Sequence, residues 1–125
     1  MEPRNNSIGQ WAFDALRSAL AALAAPAPEQ EASLRHLGVP GAVDELALTF
    51  DDANQMVAQL CAAGWLTDAT VTLLRDLDGQ LLAMSGPDGP WALTDLHGSE
   101  QWAVVRNLAR AAIDSMTTRG ALRVG

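Results

Sequence analysis

Carboxylates are the side chains in this sequence that could most readily take part in catalysis or metal binding, and they cluster at two places. Four lie in the stretch DELALTFDD of residues 44–52, and Asp76 and Asp78 lie in the string DLDG. Closely placed carboxyl groups can act as general acid and base. Aspartates at alternate positions also occur in calcium-binding loops. Each of these chemistries makes demands on the neighbouring residues.

The neighbouring residues supply neither the remaining ligands of a calcium loop nor the partner groups of catalytic acids. If Asp76 and Asp78 take the third and fifth positions of a calcium loop, the first and twelfth fall on a leucine and a serine, where such a loop carries acids. No nucleophile paired with a base and no phosphate-binding glycine motif accompanies the acids. The one cysteine and the two histidines are too far apart for a zinc motif. The sequence therefore predicts no catalytic residue, no metal site and no cofactor.

The charge of the chain is unevenly distributed. The net charge is −7, but residues 36–105 carry ten acids against one base, Arg75, which is a net −9, and the last 20 residues carry +3. Nucleic-acid binding through the acidic middle is disfavoured, because such binding draws its affinity from neutralising phosphates. An acidic surface can serve solubility alone, or it can attract a cationic protein.

Composition and length indicate one globular domain over residues 1–125. The chain is 49% hydrophobic, which is enough for a core, and no apolar run approaches the roughly 20 residues of a membrane span. Its start lacks the basic and apolar regions of a secretory signal, and Cys61 has no second cysteine to pair with. We therefore expect a cytoplasmic protein that does not contact a membrane.

Apolar residues recur at helical spacing along the chain, which predicts an all-α bundle of five or six helices. Trp11 is expected on the buried stripe of the first helix, and Asp52 with Gln55 resembles a capping box that would start the fourth. The ends, residues 1–6 and 118–125, are expected to fray.

The stretch around Asp78-Gly79 is the ambiguous one, because an Asp-Gly pair between apolar runs is also a hairpin signal. A hairpin over residues 71–84 would leave both faces mixed in polarity. A helix instead gathers its leucines and Met84 within an arc of roughly 100°. The pattern therefore favours a helix, which Thr67 can cap.

Two resemblances to known families accompany these patterns. MVAQLCAAGWLTD, TVTLLRDLDGQLLAM and WALTDLHG resemble parts of a winged-helix regulator, but the would-be recognition helix, residues 52–63, has no Arg or Lys for phosphates. DELALTFDD, DLDGQLLAMSG and QWAVVRNLARAA resemble small acidic helical proteins of unknown function from high-GC bacteria, a group similar to immunity proteins. The second resemblance implies a helical fold and no particular functional residue.

The sequence is best explained by a protein-binding module that neutralises a basic toxin, as an immunity protein or antitoxin does. A winged-helix regulator and a small enzyme using clustered carboxylates stay as alternatives. An acidic field speeds encounter with a basic partner, and a tryptophan in a loop can anchor the complex. The expected partner-binding residues are Asp51, Asp52, Asp76, Asp78 and Trp91.

Overall fold

The chain folds into helices throughout the part that the computed structural model describes, which is the backbone of residues 3–124 and the side chains of residues 9–116. No strand occurs within residues 3–124, so the all-α prediction is confirmed. The helices number seven rather than five or six: α1 Pro3–Ala24, α2 Ala27–His36, α3 Asp44–Asn54, α4 Val57–Ala62, α5 Asp68–Ala83, α6 Leu93–Gly98 and α7 Glu100–Val124. The helices α1 and α7 include residues 3–6 and 118–124, where fraying was expected, and the fraying itself stays a prediction.

The two long helices α1 and α5 both pack against α7, and α3 packs against α1. One continuous apolar cluster draws buried side chains from all seven helices. Buried alanines on α1 and α7 leave room for larger neighbours. The largest side chains that are fully buried are Trp102, Phe50, Leu16, Leu20, Leu23, Leu34, Leu74, Leu77, Met84, Leu96, Met116 and Gln30.

The buried face of α1 differs from the predicted one. Trp11 is 66% exposed, whereas Leu16 and Leu20 are fully buried. The predicted stripe joined Trp11 to Ile8, Ala15, Ala19 and Leu23, of which Ala19 and Leu23 are buried. The leucines decide the orientation, because burying them removes more apolar area from water. The core face is therefore rotated away from Trp11, which lies on the surface.

The end of α1 is held by side chains from two other helices. Gln30 of α2 is buried, and its Nε2 donates hydrogen bonds to the carbonyl oxygens of Ala22 and Leu23, each at 3.1 Å. Arg110 of α7 donates from Nη2 to the carbonyl oxygen of Ala24 at 2.9 Å. The last carbonyls of a helix have no partner within it, so these donors fix α1 against α2 and α7.

The stretch around Asp78-Gly79 is helical, as predicted. Residues 68–83 form α5, and the Thr67 hydroxyl accepts a hydrogen bond from the Thr70 backbone N–H at 3.2 Å, which caps the helix start. Leu77 is fully buried, and a methyl group added at Gly79 would meet nothing within 4 Å. The wing hairpin that a winged-helix regulator needs at these residues is therefore absent.

The boundary between α3 and α4 corrects the prediction that Asp52 starts a helix. The helix α3 continues through Asp51 and Asp52 to Asn54, and the break falls at Gln55 and Met56. Apolar residues on both sides of the aspartate pair continue the core-facing pattern, so packing carries α3 past it. The two carboxylates thus lie in the last turn of α3, where the helix dipole disfavours negative charge.

Candidate functional site

An apolar groove with an acidic edge lies between α3 and α5. Its volume is about 300 Å³. Fully buried Phe50 and half-buried Trp91 also line it. We name it the α3–α5 groove. One wall is formed by Asp44, Ala47, Leu48 and Asp51 of α3, and the other by Asp78, Leu81 and Leu82 of α5 with Ser85 just after that helix.

The two walls repeat one pattern of residues. On each helix an aspartate is followed at the third and fourth positions by two apolar residues and at the seventh by a polar one. Residues with this spacing share one face of an α-helix. Each wall therefore has an apolar middle between polar ends.

Two leucines of the groove are unusually exposed. The exposed fraction is 51% for Leu48 and 65% for Leu82. A single exposed leucine needs no explanation, but exposed apolar side chains on facing walls of one groove are typical of an interaction surface. The core does not use these side chains, so they are available to an external partner.

The electrostatic character of the groove is uniformly negative. Asp44, Asp51 and Asp78 line it, and no basic side chain does so among the described residues. None of these three carboxylates takes part in the ion pairs found among the side chains of residues 9–116. The C-terminal end of the α3 dipole adds to the negative potential at Asp51.

The loop after α5 fixes one end of the groove through two tryptophans. Trp91 donates from Nε1 to the carbonyl oxygen of Met84 at 2.8 Å, and Trp102 donates from Nε1 to that of Pro90 at 2.7 Å. The two rings meet edge to face with their centroids 5.7 Å apart. Gly89 lies against Trp91 with no room for a side chain. Trp91 is therefore held rigidly, with its ring half-buried, where it lines the groove.

The structure brings together three of the five residues predicted to bind a partner. Asp51, Asp78 and Trp91 all line the α3–α5 groove. Asp52 lies in a second depression, between α1 and α3, which the exposed Trp11 also lines. Asp76 is exposed and is about 200° from Asp78 around α5, so the two lie on opposite flanks of that helix.

The groove residues that were not predicted to bind a partner include Asp44, Leu48 and Leu82. The repeated spacing of acid and apolar residues could have indicated them. That signal depends on α3 running on to Asn54, whereas the prediction started a new helix at Asp52.

A larger depression lies between α4 and α5. It measures about 620 Å³, and Asn54, Cys61, Arg75 and Asp78 contribute to its lining. Arg75 is the one base of the acidic middle of the chain. Asp78 therefore lies on the border between this depression and the α3–α5 groove.

Two arginines of α7, Arg106 and Arg110, have structural partners. Arg106 donates from Nη2 to the carbonyl oxygen of Leu96 at 2.6 Å, which caps the end of α6, and Arg110 caps α1. Burial lowers the pKa of Arg106 from its usual value. Both contacts place a guanidinium at a helix C-terminus, where positive charge is favourable.

Glu31 of α2 takes part in both ion pairs found among the described side chains. It accepts hydrogen bonds from Arg35 at 3.1 Å and pairs with Nε2 of His97 at 2.7 Å, which joins α2 to α6. The hydrogen bond to His97, followed by smaller contributions from both cations, lowers the pKa of Glu31 below its ordinary value. This cluster acts between helices and does not line the groove.

Comparison with known proteins finds no matching family model, no matching curated protein and no matching solved structure. Within the described residues, no cluster of acids, histidines and cysteine has the geometry of a metal site, and no helix has the length and hydropathy to cross a membrane. The resemblance to immunity proteins stays an expectation.

Proposed function

We propose that this protein is a cytoplasmic binding module that captures a basic protein in the α3–α5 groove, in the manner of an immunity protein or antitoxin. The observation that carries the proposal is the convergence of three aspartates around two exposed leucines. Neither the fold nor the ion pairs of the described side chains use these groups. A basic partner with an apolar anchor would complement both.

The two kinds of side chain would contribute at different stages of binding. Unpaired carboxylates create a long-range field that raises the association rate with a cationic partner and is screened by salt. Exposed leucines beside a rigid tryptophan offer apolar area that holds the complex once it has formed. Charge should therefore control the association rate, and the apolar residues should control the dissociation rate.

The alternatives receive less support from the structure. A winged-helix regulator lacks its wing, because α5 is a helix. A carboxylate enzyme would use Asp44 and Asp51, but no histidine, cysteine or lysine lines the groove within the described residues. Such a partner group normally accompanies acid-base chemistry.

The direct test of the toxin-neutralising role uses the product of the adjacent reading frame in the source genome. We expect that product to be basic, to inhibit growth when expressed alone, and to form a stable complex with this chain that restores growth. An adjacent product that is harmless, or that does not bind, would refute the immunity or antitoxin role.

A matched pair of variants tests the role of the groove in that complex. Asp51→Asn with Asp78→Asn removes two charges inside the groove, and Asp52→Asn with Asp76→Asn removes two outside it. Both double variants have the same net charge. The first should slow association by about tenfold at low salt and flatten its salt dependence, and the second should have a much smaller effect. Equal effects would mean that the acidic surface acts only through net charge.

A further inference from the structure

We infer that the segment bound in the α3–α5 groove is an amphipathic helix with basic residues seven positions apart on either side of an apolar pair. This inference rests on the proposed function, because it names the partner chemistry of the same groove. It follows from the pattern of the two walls: each begins with an aspartate and has apolar residues at the fourth and fifth positions, and the eighth position is Asp51 on one wall and Ser85 on the other. A helix with basic and apolar residues at the same spacing would match the α3 wall along its whole length and the other wall at Asp78 and its two leucines.

The dimensions of α3 set the spacing of the basic residues. Asp44 and Asp51 are seven residues apart on one helix face, which corresponds to about 10 Å along the axis at the helical rise per residue. Leu48 lies between them on the same face. A partner helix aligned with α3 would therefore place cations about two turns apart, with its apolar residues opposite Leu48.

One end of the groove carries two of its three acids. Asp78 lines the neighbouring α4–α5 depression together with Asn54, the last residue of α3, so Asp78 lies toward the end of α3 that carries Asp51. Trp91 donates a hydrogen bond to the carbonyl oxygen of Met84, which follows the last residue of α5 and lies nearly two helical turns beyond Asp78. The partner's cation at the end near Asp51 should therefore contribute more to affinity than the other.

A helix suits the groove better than three other occupants. An extended peptide adds to a sheet edge, and the described residues contain no strand. A small molecule seated in the depression would leave the outer surfaces of Leu48 and Leu82 in water. A second copy of this chain bound through its own groove would place its three aspartates against these, and like charges repel.

The test uses a synthetic probe, so that it does not depend on identifying the natural partner. The probe is a fluorescein-labelled alanine- and glutamine-rich peptide of about 20 residues, long enough to form a helix in water. It has arginine at positions i and i+7 and leucine at i+3 and i+4. One control peptide replaces a central alanine by proline, and another replaces both arginines by glutamate. Binding is measured by fluorescence anisotropy at low salt.

We expect the probe to bind, and we expect the proline and glutamate peptides to bind at least about tenfold more weakly. Leu82→Ala in the protein should weaken binding of the probe by about tenfold, because it removes apolar area that the complex would bury. Leu37→Ala is the matched control, since Leu37 is 68% exposed and lies outside the groove. It should leave the affinity unchanged.

Three results would overturn the inference: no binding of the probe, equal binding of the proline peptide, or equal weakening by Leu37→Ala and Leu82→Ala. None of them refutes the proposed function, which the adjacent-frame product and the paired aspartate variants test with an intact protein. Conversely, helix-dependent binding of the probe with no effect of the adjacent product would support the groove chemistry and refute the toxin-neutralising role.

Discussion

Two glycine-to-alanine substitutions should change stability in opposite directions, which tests how the loop holds Trp91. A methyl group at Gly89 would overlap the carbonyl oxygen of Met84 and the indole of Trp91. The ring must therefore move, which breaks its hydrogen bond to Met84 and its edge contact with Trp102. At Gly79, in the exposed middle of α5, the same methyl group meets nothing within 4 Å.

The expected magnitudes follow from these contacts. The lost hydrogen bond is worth about 1 kcal/mol, and the lost ring contact is worth about 1 kcal/mol more. For a chain of this length, about 2 kcal/mol lowers the melting temperature by roughly 8 °C. Gly79→Ala should instead raise it by roughly 4 °C, because alanine is favoured over glycine inside a helix by about 1 kcal/mol.

Thermal unfolding followed by circular dichroism measures both changes under one set of conditions. The near-ultraviolet signal of the tryptophans should change in Gly89→Ala and stay the same in Gly79→Ala. If Gly89→Ala melts within about 2 °C of the parent protein, the Trp91 contacts do not hold the loop, and the conclusion that Trp91 is held rigidly at the end of the groove is wrong.

Two further predictions concern the core and the response to acid. Leu77→Asp should unfold the domain by placing an unpaired charge in the core, whereas Leu82→Asp should leave a folded, helical protein, because Leu82 is 65% exposed; circular dichroism distinguishes the two. The lowered pKa of Glu31 stabilises the fold above its ordinary value of 4.5, and this stabilisation is lost as the pH falls through the lowered value. Glu31→Gln should therefore melt lower than the parent protein at about pH 6 and equally at about pH 2, which thermal unfolding at the two pH values measures.

The sequence predicted the helical class well, because strong local signals agreed with packing. In α5 the buried leucines, the Thr67 cap and an unobstructed Gly79 all favour one conformation. The start of α7 is a similar case, since Ser99 accepts a hydrogen bond from the Gln101 N–H at 3.0 Å. Where local preferences and long-range packing favour the same conformation, the residue pattern alone is enough to predict the helix.

The errors arose where tertiary contacts outweigh local signals. Asp52 and Gln55 have the spacing of a capping box, yet packing of the residues around them carries α3 through to Asn54. Trp11 has the correct spacing for the core but loses that place to leucines on a neighbouring face. The groove depends on how α3 lies beside α5, which no local pattern specifies, so its charges could be listed from the sequence but not assembled.

The position of Asp51 implies a trade-off between stability and recognition. A carboxylate in the last turn of a helix, on a wall shared with two other aspartates, is electrostatically frustrated in the free protein. Asparagine at this position should stabilise the isolated domain while weakening its attraction for a basic partner. A sequence optimised for thermal stability alone would therefore discard Asp51, as happens at functional positions in other stabilised proteins. In a library of variants selected separately for folding and for binding, this position should show opposite preferences.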